Sequence, residues 1–446
     1  MSRPVSAEQA ARQRRSTIGA FVGTAIEWYD FYIFGTAAAL VFGKVFYPGI
    51  APGAGLMASF ATFWVGFLAR PIGGVIFGHF GDRLGRKNTL VITLIMMGTA
   101  TALIGVLPGY ASIGAAAPIL LIVLRACQGI AVGGEWGGAV LMATESAPEQ
   151  KKGLAGSWVQ QGSPAGSILA TVMFLIVGTL PTEQFMSWGW RIPFLLSALL
   201  VLIGLAIRLK VEESEDFVKT RDQQQVVKVP VVEVFRTASG IVWLGVAASI
   251  IGISLAYFTN TFLLAWTTTK LGMPRQTMLN VLLAMAVLQF LWQPFAAKLA
   301  ARIGTARVMI GGLIMTTLLV VPLFLAIPSR NPALLSLPLA LTMLGGSAYY
   351  AMLASFLSSA FPAPIRYTGV SVAYQLCATL IGGSTPLIAQ WILDSSGGSP
   401  WGVATFYTAL LIATMLGVWG LSRKAASTGH SSASRLEVEM GTQHAC

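Results

Sequence analysis

The chain has 446 residues, of which 55% are apolar and only 10% charged, and its mean hydropathy is +0.72. A soluble domain carries roughly 25% charged residues, so a water-facing surface is excluded. The net charge of +12 invites a nucleic-acid partner, but the placement of the basic residues assigns it to membrane orientation, and no nucleic acid is expected.

In chain order, residues 1–16 form a polar, basic segment without a small-residue cleavage site, so no removed signal peptide is expected. A bilayer core takes ~20 apolar residues to cross. Apolar stretches of that kind fall at 17–43, 56–79, 89–108, 118–143, 154–180, 189–208, 238–268, 278–300, 307–327, 334–360, 368–392 and 401–421. The expected fold is an all-α membrane protein, twelve transmembrane helices in two pseudo-symmetric six-helix bundles, 17–208 and 238–424. A charged linker at 209–237 joins them. The Ser-rich segment 425–446 shows no apolar periodicity and reads as a disordered tail.

Most of the 29 Lys and Arg residues lie in the N-terminus, the even-numbered loops and the tail, whereas the other face holds Lys44, Arg191, Lys270, Arg275 and Arg330. The positive-inside rule makes both termini and the linker cytoplasmic, in a cell inner (plasma) membrane. Gly81-Asp82-Arg83-Leu84-Gly85-Arg86-Lys87 after the second span has a weak echo, Ala300-Ala301-Arg302-Ile303-Gly304-Thr305-Ala306, after the eighth. Two similar halves about a central linker mark a transporter built from parallel repeats.

Five ionisable residues fall well inside expected spans: Glu27, Asp30, Arg70, Arg125 and Glu135, all in the first half. Each unpaired charge near the bilayer centre costs at least ~2.5–3.5 kcal/mol, which points to ion pairing, function or both. Depths reckoned at about 1.5 Å per residue pair Arg70 with Glu27 or Glu135, and Asp30 with Arg125. Three acids against two arginines leave one negative charge, so one proton neutralises the set. Asp30, Glu135 and Glu27 are therefore proton-coupling candidates in that order, with Glu27 rather the ion-pair partner of Arg70. Arg125 is the candidate for a substrate carboxylate, because a guanidinium offers a planar fork of donors. Tyr29, Trp136, Gln161, Tyr257, Asn260 and Tyr374 are softer lining candidates, with Gln160, Tyr349 and Gln375 beside them; ordinary interhelical packing accounts for any one of these. Gly129, Gly133, Gly134, Gly137 and Gly138 give the fourth span a small face suited to close packing.

Cys127, Cys377 and Cys446 are far apart, with no CxxC pair and no His at ligand spacing, so no metal or disulfide framework is indicated. No HExxH, P-loop or GxGxxG after a strand is present, and an enzyme is not expected.

Gly78-His79-Phe80-Gly81-Asp82-Arg83-Leu84-Gly85-Arg86-Lys87 resembles the signature loop of the major facilitator superfamily, and its residues Gly78, Asp82, Arg83, Gly85, Arg86 and Lys87 are the expected gating loop. In the echo Ala301 stands in place of the Asp. Further strings resemble the metabolite:proton symporters of that superfamily: Glu27-Trp28-Tyr29-Asp30-Phe31, Arg125-Ala126-Cys127-Gln128-Gly129 continuing to Gly133-Gly134-Glu135-Trp136-Gly137-Gly138, Trp190-Arg191-Ile192-Pro193-Phe194, and Phe361-Pro362 with Arg366-Tyr367-Thr368-Gly369. The resemblance implies a proton-coupled carrier of small organic acids or zwitterionic osmolytes, without a cofactor and acting as a monomer. In proton-linked sugar porters of the same superfamily an acid on the first span similarly faces an Arg on the fourth, which favours the pairing of Asp30 with Arg125. A drug:proton antiporter of the same superfamily is the alternative, since Gln161-Gly162-Ser163-Pro164-Ala165-Gly166 partly matches the antiporters' motif but lacks its Gly-Pro pair.

Overall fold

The computed structural model describes residues 7–84, 86–133, 157–209, 230–362 and 365–443. Among them every regular element is helical. The first half contains α1 (Ala7–Ala37, prolonged by a π turn at Ala38–Phe42), α2 (Pro52–Leu68 and Arg70–Leu84), α3 (Arg86–Val106), α4 (Ala116–Val132), α5 (Ser157–Gly178) and α6 (Ile192–Leu209). The second contains α7 (Pro230–Tyr257, with π turns at Phe258–Leu263 and Trp266–Lys270), α8 (Arg275–Ile303), α9 (Thr305–Leu318 and Val320–Ser329), α10 (Pro332–Ala360), α11 (Arg366–Cys377, a π turn at Ala378–Gly382, then Thr385–Ser395) and α12 (Pro400–Gln443).

Eight described helices are long and apolar enough to cross a membrane, and α9 is a ninth that bends by 40° at Leu319. Pro322 explains the bend, because it offers no N–H to the carbonyl of Leu318 and its ring crowds that carbonyl. Val91–Val106 and Ala116–Val132 are shorter apolar helices. With α1, which carries Glu27 and Asp30, they complete twelve. Large apolar side chains such as Val75, Leu318 and Leu337 are exposed on the outside, as a lipid-facing surface requires. Helix ends follow local chemistry: Asn331 caps α10 by accepting from the Ala333 amide at 2.9 Å, Pro332 occupies its first turn, and Gly304 at φ 101° closes α8.

The pairing of helices repeats after six. In the first half α1 packs on α5 and α6, α2 on α4, and α3 on α4 and α6; in the second α7 packs on α11 and α12, α8 on α10, and α9 on α10 and α12. The halves meet through α5 with α8 and through α11 with α2, which is one contact and its pseudo-symmetric copy. The π turns of the equivalent helices α1 and α7 touch each other.

Residues 210–229, most of the expected linker, lie outside the described residues. The backbone of α12 is helical to Gln443. A helix anchored at Pro400–Lys424 has already met its nucleation cost, and residues 425–443 contain no Pro to stop it.

Candidate functional site

Close packing of α2 on α4 sets the site. A Cβ on Gly129 would run into the carbonyl of Gly66, and one on Gly66 would meet the Arg125 guanidinium, so both positions need glycine for the backbones to approach. Arg125 is thereby fully buried against α2, where its Nε donates to Phe63 O at 3.3 Å. Its carbon Cζ lies 4.1 Å from the ring centroid of Phe34, 4.4 Å from Phe31 and 4.8 Å from Phe63. Arg70, also buried, lies 4.4 Å from Phe67 and 4.5 Å from Phe31. The negative faces of these rings replace part of the lost hydration of both cations. Arg70 Nε and Arg125 Nη2 have no hydrogen-bond partner among the described residues.

Tyr257 of α7 brings the second half to this box. Its ring is 5.1 Å from Phe63, 5.2 Å from Phe67 and stacked on Trp28 at 5.8 Å. Arg70, Arg125 and Glu27 all lie within electrostatic reach of it.

Asp30 is buried and joined to Arg125 through two uncharged side chains. Arg125 Nη1 donates to Gln128 Oε1 at 3.0 Å, Gln128 Nε2 donates to Thr101 Oγ1 at 2.6 Å, and Thr101 Oγ1 donates to Asp30 Oδ2 at 2.9 Å. Ser197 Oγ of α6 donates to the other carboxylate oxygen at 2.5 Å. Gln128 and Thr101 thus form a relay between Arg125 and Asp30, which were expected to lie toward one another. Gln128 was legible as a partner, three residues after Arg125 on one helix face; Thr101 and Ser197 carry no signal that separates them from other hydroxyls in apolar spans.

A cavity lies beside the box, between the halves, lined on its polar side by Tyr32, Ser163, Asn260, Gln289, Ser347 and Tyr350. Asn260 was expected there, and it accepts from Ser167 Oγ at 3.3 Å. Tyr29 was expected too, but its hydroxyl points away and donates to Pro193 O at 2.7 Å, tying α1 to α6; Tyr32, three residues on, lines the cavity instead. Gln161 Nε2 donates to Phe290 O at 2.9 Å and Gln160 Nε2 to Tyr350 O at 3.2 Å, so both bridge the halves. Gln375 reaches Gly133 O at 3.4 Å, Tyr349 bonds Ala248 O within the second half, and Tyr374 is buried beside Tyr350. Glu135, Trp136 and Gly85 lie outside the described residues. For Gly78, Asp82, Arg83, Arg86 and Lys87 the helical backbone alone is described.

The halves are also tied near the face opposite the termini. Arg275, at the start of α8, donates from Nη2 to Gly178 O at 2.9 Å and Leu180 O at 3.0 Å, where α5 ends, and covers the Phe185 ring at 4.1 Å. Gln276 adds a bond to Leu175 O at 3.0 Å. At mid-depth Trp64 Nε1 donates to Thr379 O at 2.7 Å and Thr379 Oγ1 to Phe67 O at 2.9 Å. The charges described in the membrane interior, Glu27, Asp30, Arg70 and Arg125, all belong to the first half.

Twelve helices repeating after six, a buried charge cluster at mid-depth and a polar cavity between the halves define a membrane transporter rather than an enzyme. The family model of the Major Facilitator Superfamily matches residues 20–383, and the chain belongs to that superfamily. It is 42% identical over 403 residues to the shikimate transporter of Escherichia coli K12, covering 90% of this chain and 92% of the relative. The glycine betaine/proline/ectoine/pipecolic acid transporter OusA of Dickeya dadantii is 36% identical over 397 residues, covering 86% of this chain and 78% of the relative. In fold the chain is similar to the partially occluded, inward-open xylose transporter XylE from E. coli, with a TM-score of 0.73 at 17% identity, covering 92% of this chain and 98% of that one.

Proposed function

We propose that this chain is a proton-coupled symporter that imports a small carboxylate-bearing metabolite by alternating access. The observation that supports the reading is the pair of buried guanidinium groups, Arg70 and Arg125, whose Nε and Nη2 respectively have no hydrogen-bond partner among the described residues, beside the acids Glu27 and Asp30. A buried donor without a partner is costly, and an anionic oxygen supplies what is missing. Arg125 is the principal carboxylate ligand, and Asp30 the first choice for the coupled proton, with Glu135 second and Glu27 held by Arg70. Asn260, Gln289, Ser347 and Tyr350 would meet the uncharged part of the cargo. The relatives are named for shikimate, a hydroxylated carboxylic acid, and for betaine and proline, which are zwitterions; all of these offer a carboxylate. No cofactor is needed, the protein works as a monomer in the inner membrane with both termini cytoplasmic, and the loop from Gly78 to Lys87 gates exchange.

The test is uptake of labelled shikimate and glycine betaine into proteoliposomes, with and without an imposed pH gradient. A pH gradient should drive accumulation, and Asp30→Asn should abolish it while preserving exchange of labelled for unlabelled substrate. Accumulation surviving in both Asp30→Asn and Glu135→Gln would place coupling elsewhere. Export of dyes against an inward proton gradient would establish the antiporter instead.

A further inference from the structure

We propose that Thr101 is a two-position rotor that links protonation of Asp30 to Arg125 through Gln128, and so positions the groups that couple proton to substrate. This rests on the reading of Asp30 as the coupling acid. The direction of the relay is fixed from the Arg125 end. A guanidinium can only donate, so the amide oxygen of Gln128 must face it and the amide nitrogen must face Thr101. The Thr101 oxygen then accepts at 2.6 Å, and its single hydrogen is left for one of two acceptors, Asp30 Oδ2 or the Met97 carbonyl, each 2.9 Å away. Arg125 and Thr101 are fully buried, and Gln128 and Asp30 are each 1% exposed, so water does not compete for these bonds.

The two acceptors suit the two states of the acid. While Asp30 is ionised it accepts from Thr101 and from Ser197. Once protonated it becomes a donor, and Thr101 can accept a hydrogen bond from its O–H on the second lone pair only if the Thr101 hydrogen turns to Met97 O. The described bonds give Ser197 no such second acceptor. With the hydrogen on Met97 the relay has lost its anionic end, and the charge of Arg125 is left for a substrate carboxylate.

The charged and titratable groups around Asp30 come from several elements. Tyr29 and Glu27 share α1, Arg125 comes from α4, and Arg70 of α2 and Tyr257 of α7 lie behind Arg125. From α3 and α6 the hydroxyls of Thr101 and Ser197 bond Asp30.

The test needs no substrate. Infrared difference spectra of the purified full chain, recorded across a pH titration, report the carbonyl stretch of a protonated buried carboxyl, and the band lost in Asp30→Asn belongs to Asp30. Thr101→Val keeps the shape but removes the hydroxyl. A hydrogen bond to a carboxylate is about twice as strong as one to a neutral carboxyl, so the midpoint should move up by about half to one pH unit. Thr101→Ser should leave it in place. A midpoint unmoved or lowered in Thr101→Val, or moved equally in Thr101→Ser, overturns the rotor while leaving Asp30 as the coupling acid. Absence of any Asp30 band overturns the coupling assignment itself, and the rotor with it.

Discussion

Arg70 and Arg125 share one aromatic ring: their guanidinium carbons lie 4.5 Å and 4.4 Å from the centroid of Phe31. Two like charges are thus held in one site by a group with no charge of its own. Each contact of this kind contributes about 0.5–2 kcal/mol. Phe31→Leu, which keeps an apolar side chain but removes the ring, should destabilise the protein by about 1–3 kcal/mol. Thermal unfolding in detergent, compared with Phe324→Leu in the aromatic cluster of Phe258, Trp266 and Tyr407, measures it.

Arg125→Lys keeps the charge and loses the fork. A single ammonium cannot hold Phe63 O and Gln128 Oε1 in their present directions and still present a donor to cargo. Substrate affinity should fall by about tenfold or more, on the order of 1.5–3 kcal/mol for a charged hydrogen bond. Equilibrium binding of labelled shikimate checks this, and an unchanged affinity would make Arg125 a purely structural cation.

Arg275 holds α8 to the end of α5 through two carbonyls and the ring of Phe185. Arg275→Ala should release the halves at this face and raise the population open there by about tenfold, equivalent to ~1.4 kcal/mol. Spin labels at Glu183 and Thr269, both exposed near this latch, should then show a longer mean distance. An unaltered distance distribution would count against the latch.

Gly129→Ala places a methyl group against the Gly66 carbonyl, with backbone on both sides of the clash. The cost should be about 1–3 kcal/mol of stability, with Arg125, one helical turn away, displaced as well. Gly53→Ala is the control, since a Cβ there meets nothing within 4 Å. The two variants should separate clearly in a thermal unfolding series.

The twelve crossings were legible because each needs a long apolar run, and hydropathy reports that directly. The bend of α9 was less so: Pro322 lies within its expected span, and only the three-dimensional path shows a broken helix. The charge cluster was legible residue by residue, since a charge in an apolar run stands out. Its wiring was not, because counting residues gives height along a helix and not direction around it. Counting placed Asp30 toward Arg125 but could not show that Thr101 joins Gln128 to Asp30. Phe31, Phe63 and Phe67 escaped notice for the opposite reason: in a membrane chain, a ring facing a guanidinium reads the same as a ring facing lipid. Tyr29 and Tyr32 show the limit of resolution, three residues apart on one helix, one bonded to α6 and the other lining the cavity.

The confinement of the described interior charges to the first half has an electrical consequence. A membrane voltage does work only on charge that moves through it, about 2.3 kcal/mol per elementary charge per 100 mV. If the charged half keeps its place in the bilayer while the other half rocks, that motion carries none of the described interior charges through the field. If the cargo is one proton with one monoanion, it is neutral. Such a carrier runs on the pH difference alone, and clamping the voltage of the vesicles at different values should leave its rate of uptake unchanged.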